Sequence, residues 1–299
     1  YFLIYKISSK YFLKKRLSFF IEYKFRLIPR KYLSKYDYFF SHGFVFDYNN
    51  NISYLYADQD KPKFLDNKFL ISKFLFNKLD FIFTTTSFSL ENINKNLGSK
   101  KKILINNYPD SEMLNPIGKD DFELKIQSLS KKIKVLFVGK DLKRKGYDII
   151  YKLANKYINE QIEFHIVSSN KLSNKKNIYY YSNISNKELL DLYKTSHIFL
   201  FPTSYDTFGR VLIEAMSKNC MIITANRGPQ ISITDRGKYG FNVDTDDFES
   251  HLKLFNNFLK NKNLIIEYMN LSYINFKENF SNEEILKKFN QILVHDKVS

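Results

Sequence analysis

The stretch Phe201-Pro202-Thr203-Ser204-Tyr205-Asp206-Thr207-Phe208-Gly209-Arg210 runs out of an apolar segment and into a helical pattern that continues through Leu212, Ile213, Glu214, Ala215 and Met216. A helix that starts there leaves its first backbone N–H groups, near Phe208, Gly209 and Arg210, without intrahelical acceptors and presents the positive end of its dipole. Such a terminus suits a phosphate or a carboxylate. Gly209 lets the backbone come close to a ligand. Glu214 falls about two helical turns beyond Asp206, where a carboxylate can accept two ribose hydroxyls. A plainer reading stays open from spacing alone: Asp206 or Thr207 caps the helix and Glu214 is a solvated helix residue.

A second segment has the same form. Phe137-Val138-Gly139-Lys140-Asp141-Leu142-Lys143-Arg144-Lys145-Gly146 is a strand end followed by a basic loop and a helix start. Lys140 and Lys145 sit where two cations can flank a diphosphate, each acting as a point charge without the fork geometry of Arg. The plain alternative is a solvated lysine-rich loop. Two strand-end sites in one domain support each other, because ligands of open parallel sheets bind at the carboxyl ends of the strands.

The elements that must position these residues alternate between strand and helix. In the second half, strands are expected at 134–139, 162–167, 178–181, 197–201, 221–224 and 241–243, and helices near 146–157, 185–195 and 208–218. Ser185-Asn186-Lys187-Glu188 has the spelling of a capping box, and Ser281-Asn282-Glu283-Glu284 opens a last helix to about residue 295. In the first half, strands are expected at 36–43, 52–56, 81–85 and 102–106, and helices over 63–79 and from 87 or 89 to 98. The polar segment 115–131, with Pro116 and Gly118, is read as a linker. Alternation of this kind predicts an α/β protein of two doubly wound, Rossmann-like domains. Their expected extents are 1–117 and 131–280, with a C-terminal helix at 281–299 packing back toward the first.

Composition narrows the partners. The chain has 299 residues, with 47 Lys and Arg against 31 Asp and Glu, a formal charge of +16. That balance favours anionic partners. Most of the basic residues are Lys, and the accompanying Asn, Phe and Tyr excess fits codon bias, so the charge does not choose among such partners. Residues 1–36 carry ten Lys or Arg and one acid, Glu22. Leu13, Leu17, Phe20 and Ile21 recur there at helical spacing, which fits a surface helix or one lying on an anionic membrane. A single cysteine, Cys220, excludes an intramolecular disulfide and a cysteine zinc cage. No run of 18 apolar residues predicts a transmembrane helix.

With these segments in view, the C-terminal half resembles the nucleotide-sugar domain of the retaining GT-B glycosyltransferases, family 4 in particular. The resemblance rests on four ordered blocks: Phe137 to Gly146; Asn183-Ile184-Ser185 through Tyr193 to Phe201-Pro202; Asp206-Thr207-Phe208-Gly209 with Glu214-Ala215-Met216; and Gly228-Pro229 with Asp235-Arg236-Gly237, Gly240 and Val243. It covers residues 131–260 well and the stretch from Asp80 to about Pro116 more weakly. It implies a GT-B fold, two such domains facing a cleft. It also implies roles for single residues. Lys140 and Lys145 would hold the donor diphosphate, next to Gly139. Thr207 and the amides at Phe208 and Gly209 would face sugar and phosphates. Asp206 would hold the transferred sugar, Glu214 would bind the ribose, and Asn183 and Ile184 would lie near the base. Three positions depart from the family pattern: Asp206 replaces the usual Glu, Lys140 the usual Arg, and Arg227-Gly228 the usual Gly-Gly.

The first half would be the acceptor domain. His42 and Asp58, each following an expected strand, are candidates to touch the transferred sugar, with a simple hydrogen-bonded loop role as the alternative. The family's early Gly-rich loop is not found before residue 36, and the chain begins at Tyr1, so an incomplete N-terminal domain is expected. His165 and His197 are read as structural, His251 and His295 as exposed helix residues. Asp58-Gln59-Asp60 has a metal-motif spelling, but no metal and no cofactor are expected. The expected activity is transfer of a sugar from a UDP- or GDP-sugar to a glycan or lipid-linked acceptor, with retention, in cell-surface polysaccharide or lipopolysaccharide synthesis. The expected setting is cytoplasmic, with peripheral membrane attachment and no nucleic-acid partner. The alternatives are a nucleotide-sugar epimerase on the same fold and a basic α/β protein that binds membrane or nucleic acid through charge alone.

Overall fold

The computed structural model describes residues 112–170, 173–204, 206 and 208–295, together with five short strands before them. The chain divides into two compact units, one containing those five strands and the other consisting chiefly of residues from Ile105 onward. In the first unit, β1 (Tyr38–Phe40) pairs in parallel with β2 (Ile52–Tyr54). β3 (Tyr56–Ala57), β4 (Ile82–Thr84) and β5 (Lys102–Leu104) form a second parallel set in that order. β1, β4 and β5 fall within expected strands, whereas the single strand expected at 52–56 is two, β2 and β3, in different sheets, the second running on to Ala57. The helices expected over 63–79 and 87–98, and the basic segment 1–36, lie outside the described residues.

The second unit is built on six parallel strands: β6 (Ile133–Val138), β7 (Ile162–Val167), β8 (Ile178–Tyr181), β9 (Ile198–Phe201), β10 (Met221–Ala225) and β11 (Phe241–Val243). Their spatial order is β11-β10-β9-β6-β7-β8. β9 and β10 are buried at every position. That is why they read as continuous apolar runs, as central strands covered on both faces must.

Helices α1 (Lys119–Leu129), α2 (Tyr147–Lys156), α3 (Asn186–Thr195), α4 (Arg210–Ser217), α5 (Gly228–Ile233), α6 (Phe248–Lys260), α7 (Lys262–Asn275) and α8 (Asn282–His295) fill the connections. A π-helical turn, Phe276–Phe280, joins the last two. Tyr157 and Phe164 both stack on Phe255 of α6, at 6.0 and 6.1 Å between centroids, on one face of the sheet. Phe199 alternates to the opposite face, where Tyr193 of α3 packs on it at 5.7 Å.

Two expectations are corrected. The segment read as a linker holds α1. Its Lys125 is buried, with the ammonium donating to the carbonyls of Lys218 at 2.7 Å and Tyr193 at 3.3 Å. A lysine on the inner stripe made the helix look solvent-facing. His251, expected to be exposed, is fully buried on α6. It takes its place on the apolar stripe with Phe255 and Phe258, and its Nδ1 lies 2.8 Å from the Asp247 carbonyl.

Candidate functional site

The strand order reverses between β6 and β9. β7 and β8 continue to one side, and β10 and β11 to the other. That reversal opens a crevice at the carboxyl ends of β6 and β9, the place where open α/β sheets bind ligands. Both segments singled out in the sequence leave the sheet there.

The loop after β6 is a compact turn. Asp141 accepts from the backbone N–H and the Nε of Arg144, at 3.2 and 3.1 Å. Those hydrogen bonds, the backbone one first, hold its carboxyl below the usual range. Gly139 has no room for a side chain. A Cβ there would lie 2.8 Å from the Phe137 ring and 3.1 Å from the Lys145 chain. Gly146 has φ +79°, and a Cβ on it would sit 1.9 Å from the Pro202 carbonyl oxygen. Only glycine satisfies both demands.

The loop after β9 is fastened to that turn. The Ser204 N–H and hydroxyl each donate to the Arg144 carbonyl at 2.9 Å, and the Thr203 hydroxyl reaches it at 3.3 Å. The loop then enters α4 through Gly209, which has φ +87°. Phe208 is buried at this corner.

This stitching brings Lys145 and Asp206 together as an ion pair. Lys145 is 9% exposed, and its ammonium also lies over the Phe201 ring, 4.7 Å from the centroid. Burial pulls its pKa down, and the Asp206 carboxylate pulls it back up. The pair is thus a cation held in a partly dry crevice by a single acid. Lys140 is exposed at the mouth of the same loop. Glu214 is half-buried on α4. Burial raises its pKa, and the Tyr193 hydroxyl, donating to Oε2 at 3.0 Å, works against that rise.

Asn183 and Ile184 follow edge strand β8, two strands from β6. Asn183 has φ 55° and precedes α3, whose capping box between Ser185 and Glu188 forms as expected. The structure therefore places these two at the same sheet edge but not against the Lys145–Asp206 pair. His42, Asp58 and Thr207 lie outside the described residues. Among the described residues, no cluster of three or more His, Cys, Asp or Glu could hold a metal ion, and no helix is long and apolar enough to cross a membrane.

His165 and His197 are structural, as expected. His197 Nδ1 accepts from the Lys134 N–H at 2.9 Å, so its Nε2–H faces the Lys125 carbonyl at 2.9 Å. Sequence reasoning gave Tyr193 no role. The signal was there: Leu189, Leu190 and Tyr193 share one helical stripe, and a buried tyrosine needs a partner for its hydroxyl.

Comparison with known proteins follows the same lines. The model of the family described as "Glycosyl transferases group 1" matches residues 119–278, more than half of the chain. An uncharacterized 41.2 kDa protein in the cps region of Klebsiella pneumoniae is 28% identical over 121 residues, covering 39% of this chain and 34% of its own. The chain therefore spans about a third of the length of that curated relative. Among solved structures, the sucrose-phosphate synthase of Thermosynechococcus elongatus superposes with a TM-score of 0.69 at 15% identity, over 96% of this chain and 81% of that one. The Anabaena HepE protein in complex with UDP and glucose superposes with a TM-score of 0.62 at 13% identity, over 88% and 79%. At these identities the likeness is one of fold, the GT-B fold expected from the sequence.

Proposed function

The chain belongs to the group 1 glycosyl transferases, and on that premise we propose that it moves a sugar from a UDP- or GDP-sugar to a glycan or lipid-linked acceptor with retention of configuration. The observation that carries this reading is the convergence of Lys145 and Asp206, from loops after two different strands, at the point where the strand order reverses and α4 begins. The diphosphate lies between Lys145, Lys140 and the first amides of α4. As the bond from sugar to phosphate breaks, negative charge builds on the departing nucleotide. A pre-placed cation and helix-terminal N–H groups stabilise that charge without reorganising.

Asp206 has two duties in this scheme. It pairs with Lys145 while the site is empty, and it offers its remaining oxygen to a hydroxyl of the transferred sugar. Glu214 takes the ribose hydroxyls, and Asn183 and Ile184 flank the base. Residues 131–280 serve the donor and 1–117 the acceptor, with His42 and Asp58 as contacts of the transferred sugar. No metal or cofactor enters. The Anabaena protein was solved with UDP and glucose, which favours UDP over GDP and a hexose as the sugar. The relative in a cps region supports a role in cell-surface polysaccharide synthesis. The lysine-rich segment 1–36 supports an acceptor at an anionic membrane surface on the cytoplasmic side.

A thermal-shift panel of UDP, GDP, ADP and CMP tests the reading. A ligand at about 100 times its dissociation constant adds about 2.7 kcal/mol to the folded state. One diphosphate should stabilise the protein, and Lys145→Ala and Glu214→Ala should each lose that shift. No shift with any of the four overturns the donor assignment.

A further inference from the structure

The carboxylate assigned to the ribose has a buried neighbour. Tyr193 is fully buried on α3 and is anchored from several sides. Its ring packs on Phe199 of β9, and its carbonyl accepts from the Lys125 ammonium and the Cys220 thiol, each at 3.3 Å. Its hydroxyl donates to Glu214 Oε2 at 3.0 Å, with the Val211 carbonyl at 3.5 Å as a weaker second acceptor. The tyrosine is fixed by the core, and the glutamate is fixed by the tyrosine.

That contact has a consequence for what Glu214 can recognise. An ionised carboxylate offers about four acceptor positions on two oxygens. Tyr193 occupies one of them, on Oε2. Oε1 and the other position on Oε2 remain for two hydroxyl donors side by side. A vicinal diol fits this, and a single hydroxyl uses half of it. Without the tyrosine hydroxyl the carboxylate turns freely about its last bond, a torsion with broad minima, and meets one hydroxyl nearly as well as two.

We propose that Tyr193 is a positioning residue for nucleoside recognition: its hydroxyl holds the Glu214 carboxylate in the orientation that receives a 2′,3′-diol, and so selects ribonucleoside over 2′-deoxyribonucleoside diphosphates. The proposal rests on the reading of Glu214 as the ribose-binding residue. It differs from a merely structural role for Tyr193, which would change stability and leave the choice of sugar alone.

The test is calorimetric binding of UDP, 2′-deoxy-UDP, GDP and 2′-deoxy-GDP to the full chain, its Tyr193→Phe and Glu214→Ala variants, and the double variant. The quantity read is the ratio of dissociation constants, deoxy over ribo, for the base that binds. Tyr193→Phe keeps the ring and loses only the contacts of the hydroxyl, so the fold persists, as a cooperative melt checks. A hydrogen bond to a charged group is worth enough that the wild-type ratio should be about tenfold or more. Tyr193→Phe should compress it several-fold, and Glu214→Ala should bring it to about one. Adding Tyr193→Phe to Glu214→Ala should then change nothing further. A ratio unchanged in Tyr193→Phe but collapsed in Glu214→Ala overturns the proposal and leaves the donor-site reading standing. A ratio unchanged in both, or no binding by wild type, overturns that reading and the proposal with it. A further loss in the double variant shows Tyr193 acting by another route, and also overturns it.

Discussion

Helix α4 has lysines at both ends, and they differ in what holds them. Near its start, Lys145 meets a carboxylate and the edge of a crevice. Beyond its end, Lys218 and Lys125 are buried and bound almost wholly by backbone carbonyls. Lys218 donates to the Met113 carbonyl at 2.6 Å and to that of Asn115; Lys125 donates to those of Lys218 and Tyr193. Burial pushes Lys218 down to about 8 and lowers Lys125 as well. In a chain with 47 basic residues, charge is no guide to function. The partner is. A lysine satisfied by carbonyls has no donor geometry left for a ligand, whereas one paired to a single acid can exchange that acid for a phosphate.

The sharpest way to break this contrast is to truncate both kinds of lysine. Lys145→Ala should lower the rate of sugar transfer by about 10²–10³-fold, the usual cost of losing one pre-placed charge stabiliser, while the melting temperature changes little. Lys125→Ala should do the reverse. It leaves buried carbonyls without a donor and opens a cavity, so unfolding in denaturant should show a loss of about 2–4 kcal/mol. The surviving folded fraction should bind nucleotide normally. Equal effects of both variants on activity would erase the distinction.

Acid should loosen the structural histidines. Burial pushes His197 down to about 3 and His165 to about 4 from an ordinary 6.5. Between those values and 6.5 the unfolded chain binds more protons than the folded one, so stability is full above pH 6.5 and falls as pH drops below it. Each histidine contributes a slope of about 1.4 kcal/mol per pH unit. Denaturant midpoints from pH 7 to 4.5 should decline in wild type and decline less in His197→Gln. The smallest effect belongs to Lys140, exposed and free of burial cost. Lys140→Ala should raise the donor KM about threefold, and less so in high salt. Steady-state kinetics at two ionic strengths would show it.

The same contrast explains what could be read from sequence. Strands β7, β8 and β11 lie where periodicity places them, and the strand-end glycines mark the crevice, because both signals are local. Burial of polar side chains is not local. Lys125 and His251 occupy inner stripes of α1 and α6, and a stripe scored by hydrophobicity skips them. Phe122, Ile126 and Leu129 do recur at helical spacing around Lys125, so the helix was visible once a lysine was allowed inside. The pairing of Lys145 with Asp206 was legible only in part. Each residue was found at its own strand end, but their meeting depends on the strand order, which no single segment carries. Tyr193 on Glu214 is of the same kind, a contact between two helices whose packing the chain fixes only when folded.

Apart from the Lys145–Asp206 pair, the crevice loops are joined at the Arg144 carbonyl, taken by Ser204 and Thr203, and where Gly146 is seated against Pro202. None of these other contacts uses the side chain at 140 or 206. Evolution or an engineer can therefore exchange the charges on those loops without rebuilding the loops themselves, so that the scaffold is inherited and the chemistry is editable. Gly146 is the exception, because any side chain there would push the Pro202 carbonyl aside and part the two loops at once. Libraries that vary 140 and 206 while sparing 146 should keep most members folded, and those that vary 146 should not.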